Sequence, residues 1–152
     1  IGIADEHAKA VALILNKLLA NEFVVYTKTR NYHWNIECSS FMEMHKLYES
    51  QYNELEEIID EVAERVRKIG HYAEGRLKDY LKLTDLDEEE YTDDQLKQIN
   101  NLLEDHETII RNIRGHITEV EDKYKDVGTS DFLTGLLKQH ETIAWKLRAY
   151  LK

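Results

Sequence analysis

A chain of 152 residues has the size of one compact domain with a sizeable core, and residues 1–152 read as a single domain. Apolar residues make up 42% and charged residues 33%, with six glycines and no proline, a mix that suits long amphipathic helices and reads as all-α. Thirty acidic against 20 basic residues leave a formal charge of -10, the wrong sign for neutralising phosphates, so nucleic acid is a disfavoured partner.

The first helix is expected from about Asp5 to His33, where Val11, Ile14, Leu15, Leu18, Leu19, Phe23 and Tyr26 recur in steps of three and four and share one face. The second opens at Ser40, with Glu43 three residues on as a capping box, and carries Phe41, Met44, Tyr48, Leu55, Ile59, Val62, Val66 and Ile69 to a stop at Gly70. Thr92 and Gln95 repeat the capping pattern before a third helix, which runs through Leu96, Ile99, Leu103, Ile110, Ile113, Ile117 and Val120 to about Tyr124. The fourth is expected from near Ser130 to the end of the chain. Short connections at 34–39 and 126–129 force antiparallel neighbours, whereas 71–91 is long enough to cross the bundle, with a short helix of its own between about Ala73 and Leu83. The single Cys38 excludes an intrachain disulfide and suits a reducing compartment, so a cytoplasmic location is expected, although a cysteine-poor secreted protein would look the same. No membrane span is expected, for want of an unbroken apolar run of about 18 residues. The N-terminus lacks a basic region followed by an apolar stretch, and because the chain begins at Ile1 a trimmed extension could precede it.

The chemistry is expected at the first helical hairpin. His33 and His45 flank its turn, so closing the hairpin brings two imidazoles together. His7, His71, His106, His116 and His140 have no nearby carboxylate pattern tying them to one metal site. Asp60 and Glu64, four residues apart, project from one face of the second helix, although an acidic helix has such pairs on its solvated face too. Asp60 follows His45 by fifteen residues, about 22 Å along a helix, too far for one ion within one chain. A two-fold axis near Tyr52 removes the difficulty, because antiparallel packing of two copies of the second helix sets the His45 end of one against the Asp60 end of the other. The site would then join His33 and His45 of one copy to Asp60 and Glu64 of the next, with Glu49 one turn beyond His45 as a further ligand. Imidazole with carboxylate suits iron, manganese or zinc, and an open version suits redox iron. The Glu-x-x-His pair of an intrabundle di-iron site is absent: the residues three before the seven histidines are Ala4, Arg30, Met42, Lys68, Leu103, Ile113 and Leu137.

The run Tyr32-His33-Trp34-Asn35, then Phe41, His45, Tyr52 and Asp60-Glu61-Val62-Ala63-Glu64-Arg65, resembles the signature of the Dps family of mini-ferritins, and His140-Glu141-Thr142-Ile143-Ala144-Trp145 extends the likeness into the last helix. The resemblance implies a ferritin-like four-helix bundle with one long crossover containing a short helix, assembled as a dodecamer around a cavity for ferric oxyhydroxide. It implies ferroxidase centres on the two-fold axes, holding two iron ions each, with hydrogen peroxide as oxidant. By carry-over, His33, His45, Asp60 and Glu64 are iron ligands and Trp34 traps oxidising equivalents beside them.

Three features depart from the family pattern. Glu49 stands where the family usually has aspartate, and Cys38 where glycine is common. The lysine-rich tail of DNA-compacting members has no counterpart in the first ten residues, whose only lysine is Lys9. Asp122, Asp126 and Asp131 surround the turn that the family places at a three-fold pore, and Asp126 and Asp131 are the expected pore residues; ordinary turn and cap roles would account for them equally. Two other readings of the same fold are a DNA-compacting protein, which needs a basic tail, and a structural bundle with no metal site, which would not respond to iron.

Overall fold

The computed structural model describes residues 1–152 as helices α1 (Asp5–Asn35), α2 (Phe41–Lys68), α3 (Leu77–Leu83), α4 (Gln95–Thr118) and α5 (Val127–Ala149), with no strand. α1 and α2 form one antiparallel hairpin and α4 and α5 another, and 31 buried apolar residues from both hairpins and the crossover between them join in one continuous core. Asp5 and Glu6 place negative charge in the first turn of α1, where the helix dipole favours it. The most apolar 18-residue window of α1 reaches a mean hydropathy of 1.3, so by length and composition alone this helix could cross a membrane. In the structure 61% of that window is buried, with Val11, Leu15 and Leu19 wholly enclosed, so α1 is apolar because it is the core helix.

α2 ends as Gly70 implies. Gly70 takes a φ of +93°, its N–H reaches the Arg67 carbonyl at 3.0 Å, and the His71 N–H reaches back to Val66 at 3.2 Å. That paired closure needs a left-handed residue, which glycine adopts without a Cβ clash. The helix starts are governed differently from the expectation. Ser40 is the residue before α2, but its hydroxyl makes no capping bond, and Glu43 instead accepts from the Tyr150 hydroxyl. Asp94, not Thr92, caps α4 by accepting from the Lys97 N–H at 2.8 Å, while the Thr92 hydroxyl accepts from the Asp94 N–H.

The crossover lies along α1 because polar side chains of that helix fasten it at three levels. Asn16 bonds Tyr72 and Glu74; Asn21 accepts from the Thr84 hydroxyl at 2.7 Å and the Asp85 N–H at 2.8 Å; Lys28 donates to the Asp87 carbonyl at 2.6 Å. This carries the chain to the opposite end of the bundle, where the Glu37 N–H meets the Asp93 carbonyl and α4 begins. α3 sits midway and stacks Tyr80 on Phe23 of α1.

α4 passes into one π-helical turn, Glu119–Lys123, and the chain reverses at Lys125, whose φ is +59°. α5 starts at Val127, three residues earlier than expected, because Asp126 is its cap. Asp126 is 2% exposed; it accepts from the Thr129 N–H at 2.9 Å and hydroxyl at 2.6 Å, and faces the Arg65 guanidinium at 3.3 Å. The expectation that Asp126 lines a pore is therefore corrected: both its oxygens are engaged inside the protein. Asp131 is exposed in the second turn of α5, and Asp122 is exposed in the π turn. Replacing Asp126 with alanine removes the cap and unpairs Arg65, and should cost about 1–3 kcal/mol of stability in denaturant unfolding. Asp126→Asn, which keeps an acceptor for Thr129, should lose less.

Candidate metal centre

The α1–α2 register sets His33 face to face with His45, ring centroids 3.7 Å apart and planes 13° from parallel. Each ring bonds the other residue's backbone. The His33 Nδ1–H donates to the His45 carbonyl at 2.7 Å, and the His45 Nδ1–H to the His33 carbonyl at 2.8 Å. A carbonyl only accepts, so each ring carries a proton on Nδ1, which leaves Nε2 as the nitrogen through which the neutral imidazole binds a metal. The His33 carbonyl is one of the last four of α1, which have no partner within the helix, so His45 also closes the end of α1.

Aromatic rings hold this pair in place. Phe41 stacks on His45 at 5.0 Å, and Tyr52 meets His33 edge-on at 5.2 Å. The Arg30 guanidinium lies 4.2 Å from the Tyr52 ring centre, 5.5 Å from Tyr26 and 5.8 Å from Trp34. His33 is 7% exposed and Trp34, next in sequence, 66%, so the indole lies on the surface of the chain.

The hairpin thus brings His33 and His45 together and leaves the carboxylates apart. Glu49, Asp60 and Glu64 are exposed on α2. No three His, Cys, Asp or Glu side chains of the chain are arranged to hold one ion. Asp60 borders a shallow groove lined by Leu19, Phe23, Tyr26, Ile59, Ala63 and Tyr80, an apolar surface beside an acidic rim.

A model of the ferritin-like domain family matches residues 12–152. The chain is 34% identical to the "DNA protection during starvation protein" of Porphyromonas gingivalis, over 98% of this chain and 93% of that one. It is 32% identical to "DNA protection during starvation protein 2" of Bacillus anthracis, over 94% and 97%. Among solved structures, Dps from Vibrio cholerae O1 superposes with a TM-score of 0.95 at 32% identity, covering 100% of this chain and 95% of that one. The chain belongs to the Dps family of ferritin-like proteins. The Vibrio cholerae Dps is described as a member of a broad superfamily of ferritin-like diiron-carboxylate proteins.

Inside this Dps-family bundle lie two charged clusters that sequence reading missed. Lys28 Nζ, almost wholly buried, pairs with Asp105 at 2.6 Å and Glu89 at 2.7 Å. Burial works against the ammonium, but Asp105 and Glu89 hold its pKa above the ordinary lysine value, so it stays charged. Burial pushes the Asp105 carboxyl up to about 6 against the pull of Lys28. The second cluster is Glu22, His140 and His106, all fully buried, in which His140 Nε2 contacts Glu22 at 2.6 Å and the two Nδ1 atoms meet at 2.9 Å. A signal was present: Glu22 and Lys28 interrupt an apolar stripe at core positions. Their partners, 118 and 77 residues away, are supplied only by the fold. Lys28→Met, which leaves Asp105 buried without a cation, should destabilise the protein by about 3–5 kcal/mol. Pairing it with Asp105→Leu should recover most of that loss in a denaturant titration.

Proposed function

We propose that the chain is a ferroxidase and iron-storage subunit: residues 1–152 act as one unit that oxidises ferrous iron at a centre shared by two copies and retains the product in a hollow twelve-subunit shell. One observation carries the reading. His33 and His45 leave both Nε2 atoms without a hydrogen-bond partner, and no group of three His, Cys, Asp or Glu side chains is assembled around them in their own chain. The unengaged carboxylates Asp60 and Glu64 stand about 22 Å or more along the same helix. Antiparallel packing of α2 on a second copy about Tyr52 supplies the missing oxygens and, being isologous, makes two equivalent centres. Mixed imidazole and carboxylate donors with open positions suit iron that changes oxidation state. The family membership and the diiron-carboxylate description of the Vibrio cholerae protein support the same chemistry.

Iron is the substrate. Two ferrous ions at one centre each give one electron to a hydrogen peroxide; the O–O bond breaks, two protons are taken up, and two waters and two ferric ions result. Pairing the electrons avoids the hydroxyl radical that one ferrous ion alone would release. His33 and His45 anchor the iron through Nε2, Asp60 and Glu64 balance its charge, Glu49 adds a ligand from the turn beyond His45, and Trp34 takes up stray oxidising equivalents beside the centre. Exposed Asp131 and Asp122, with Asp126 withdrawn into its cap, form the acidic surface that draws in ferrous ions. The relatives are named for DNA protection, and removing ferrous iron and peroxide together protects DNA without touching it. A charge of -10 per chain makes that the favoured route here, in a reducing cytoplasm.

The test starts anaerobically with ferrous iron and adds hydrogen peroxide, comparing the intact protein with an assembled Asp60→Asn, Glu64→Gln variant. The intact protein should oxidise iron quickly and keep the ferric product soluble with a particle of twelve-subunit mass. The variant should be slower by a factor of about 100 or more. Equal rates would refute the assignment of these residues.

A further inference from the structure

The Glu22–His140–His106 cluster has no part in the proposed iron chemistry, yet all three groups are fully buried. Burying ionisable groups in an apolar core costs free energy unless charge and hydrogen bonds are both satisfied. Glu22 belongs to the α1–α2 hairpin and both histidines to the α4–α5 hairpin, so the 2.6 Å contact between Glu22 Oε1 and His140 Nε2 crosses the seam between the halves of the bundle. We infer that Glu22, His140 and His106 form an acid-sensitive latch that joins the two hairpins while the cluster is electrically neutral and releases them when one more proton arrives.

The argument is a proton count. The contact between Glu22 and His140 Nε2 needs one proton, and the contact between the two Nδ1 atoms, 2.9 Å apart, needs another. With only those two, the cluster carries a net negative charge in a fully buried position. A third, on His106 Nε2, makes it neutral and leaves both contacts intact. That nitrogen and Glu22 Oε2 have no hydrogen-bond partner in the chain. A fourth proton has two places to go. On the free Glu22 oxygen it removes the charge that balances the imidazole ring, and between the two Nδ1 atoms it sets one N–H against another. Either way the core gains an uncompensated positive charge: in the first case the seam contact keeps its hydrogen bond but loses the carboxylate charge, and in the second the His106–His140 contact that holds the His140 ring in place is broken.

The surroundings sharpen this response. Burial first, then the nearby His140 and Lys28 charges, hold the His106 pKa well below its usual value, so the folded ring refuses a proton that the unfolded one accepts. From α2, Glu54 faces His140, and its own carboxyl is raised by burial. From α1, Lys28 is tied to Asp105 of α4 and Glu89 of the crossover. For a base depressed in the folded state, the stabilising effect is complete above the unfolded value of about 6.5 and declines as pH falls below it. Asp105, raised on folding, works in the opposite sense below about 6, so its effect must be cancelled by comparison with a variant.

The experiment is denaturant unfolding of the full chain at about pH 7.5, 6.5 and 5.5, alongside His106→Asn, which keeps a polar group near Nδ1 but does not titrate. Below about pH 6.5 the folded-to-unfolded ratio of the intact protein should fall by up to tenfold per pH unit relative to the variant. An apolar Glu22→Leu, His106→Leu, His140→Leu variant should show the same reduced pH sensitivity. Parallel curves for all three proteins would overturn the latch. Hydrogen exchange on the intact protein gives an independent reading. After correction for intrinsic rates, protection should fall at acid pH around residue 22 of α1 and residue 140 of α5 before it falls in α2, and a uniform or absent change would also overturn it.

Discussion

The reciprocal bonding of His33 and His45 is the constraint on which the proposed centre depends. Each imidazole is fixed by the other residue's carbonyl, so this pair of contacts closes the turn between α1 and α2, satisfies a helix end and leaves both Nε2 nitrogens without a hydrogen-bond partner. The hairpin register follows from it: with His33 opposite His45, α2 runs back along α1 and carries Asp60 far away. On the proposed reading, a centre using these two histidines takes Asp60 and Glu64 from another chain.

The rest of the molecule holds that hairpin in place. The crossover is fastened along α1 by Asn16, Asn21 and Lys28, so the chain reaches the far end of the bundle before α4 begins. Arg65 joins the end of α2 to Asp126 and Thr129 at the start of α5, immediately after the proposed ligand Glu64. A Cβ on Gly128 would lie 2.7 Å from the end of the Arg65 side chain, so a larger residue there would make the guanidinium shift from its contacts with Asp126 and Thr129. Stability and site geometry thus share residues at both ends of α2.

Much of this was legible in the sequence because it is local or periodic. The four long helices followed from apolar spacing, the crossover from loop length, and the helix stop at Gly70 from the left-handed turn it permits. The pairing of His33 with His45 followed from the short turn between them. Long-range competition was not legible. Ser40 and Thr92 look like caps by type, but whether a hydroxyl caps depends on its orientation: α2 starts without a side-chain cap, and Asp94 and Asp126 cap α4 and α5. Asp126 could not be recognised as buried without knowing that Arg65 lies across from it. The Glu22–His140 contact joins residues at opposite ends of the chain, so no spacing rule reaches it.

The central claim is that one centre needs two chains, and co-expression of two inactive variants tests it most directly. One carries His33→Ala and His45→Ala, the other Asp60→Asn and Glu64→Gln, and each should fail alone to oxidise ferrous iron with peroxide. In a mixed pair, one centre combines both defects while the other has intact histidines from one chain and intact carboxylates from its neighbour. Random co-assembly should therefore restore about a quarter of the normal centres and a matching share of the activity. Mixed shells as inactive as either parent would contradict a shared site.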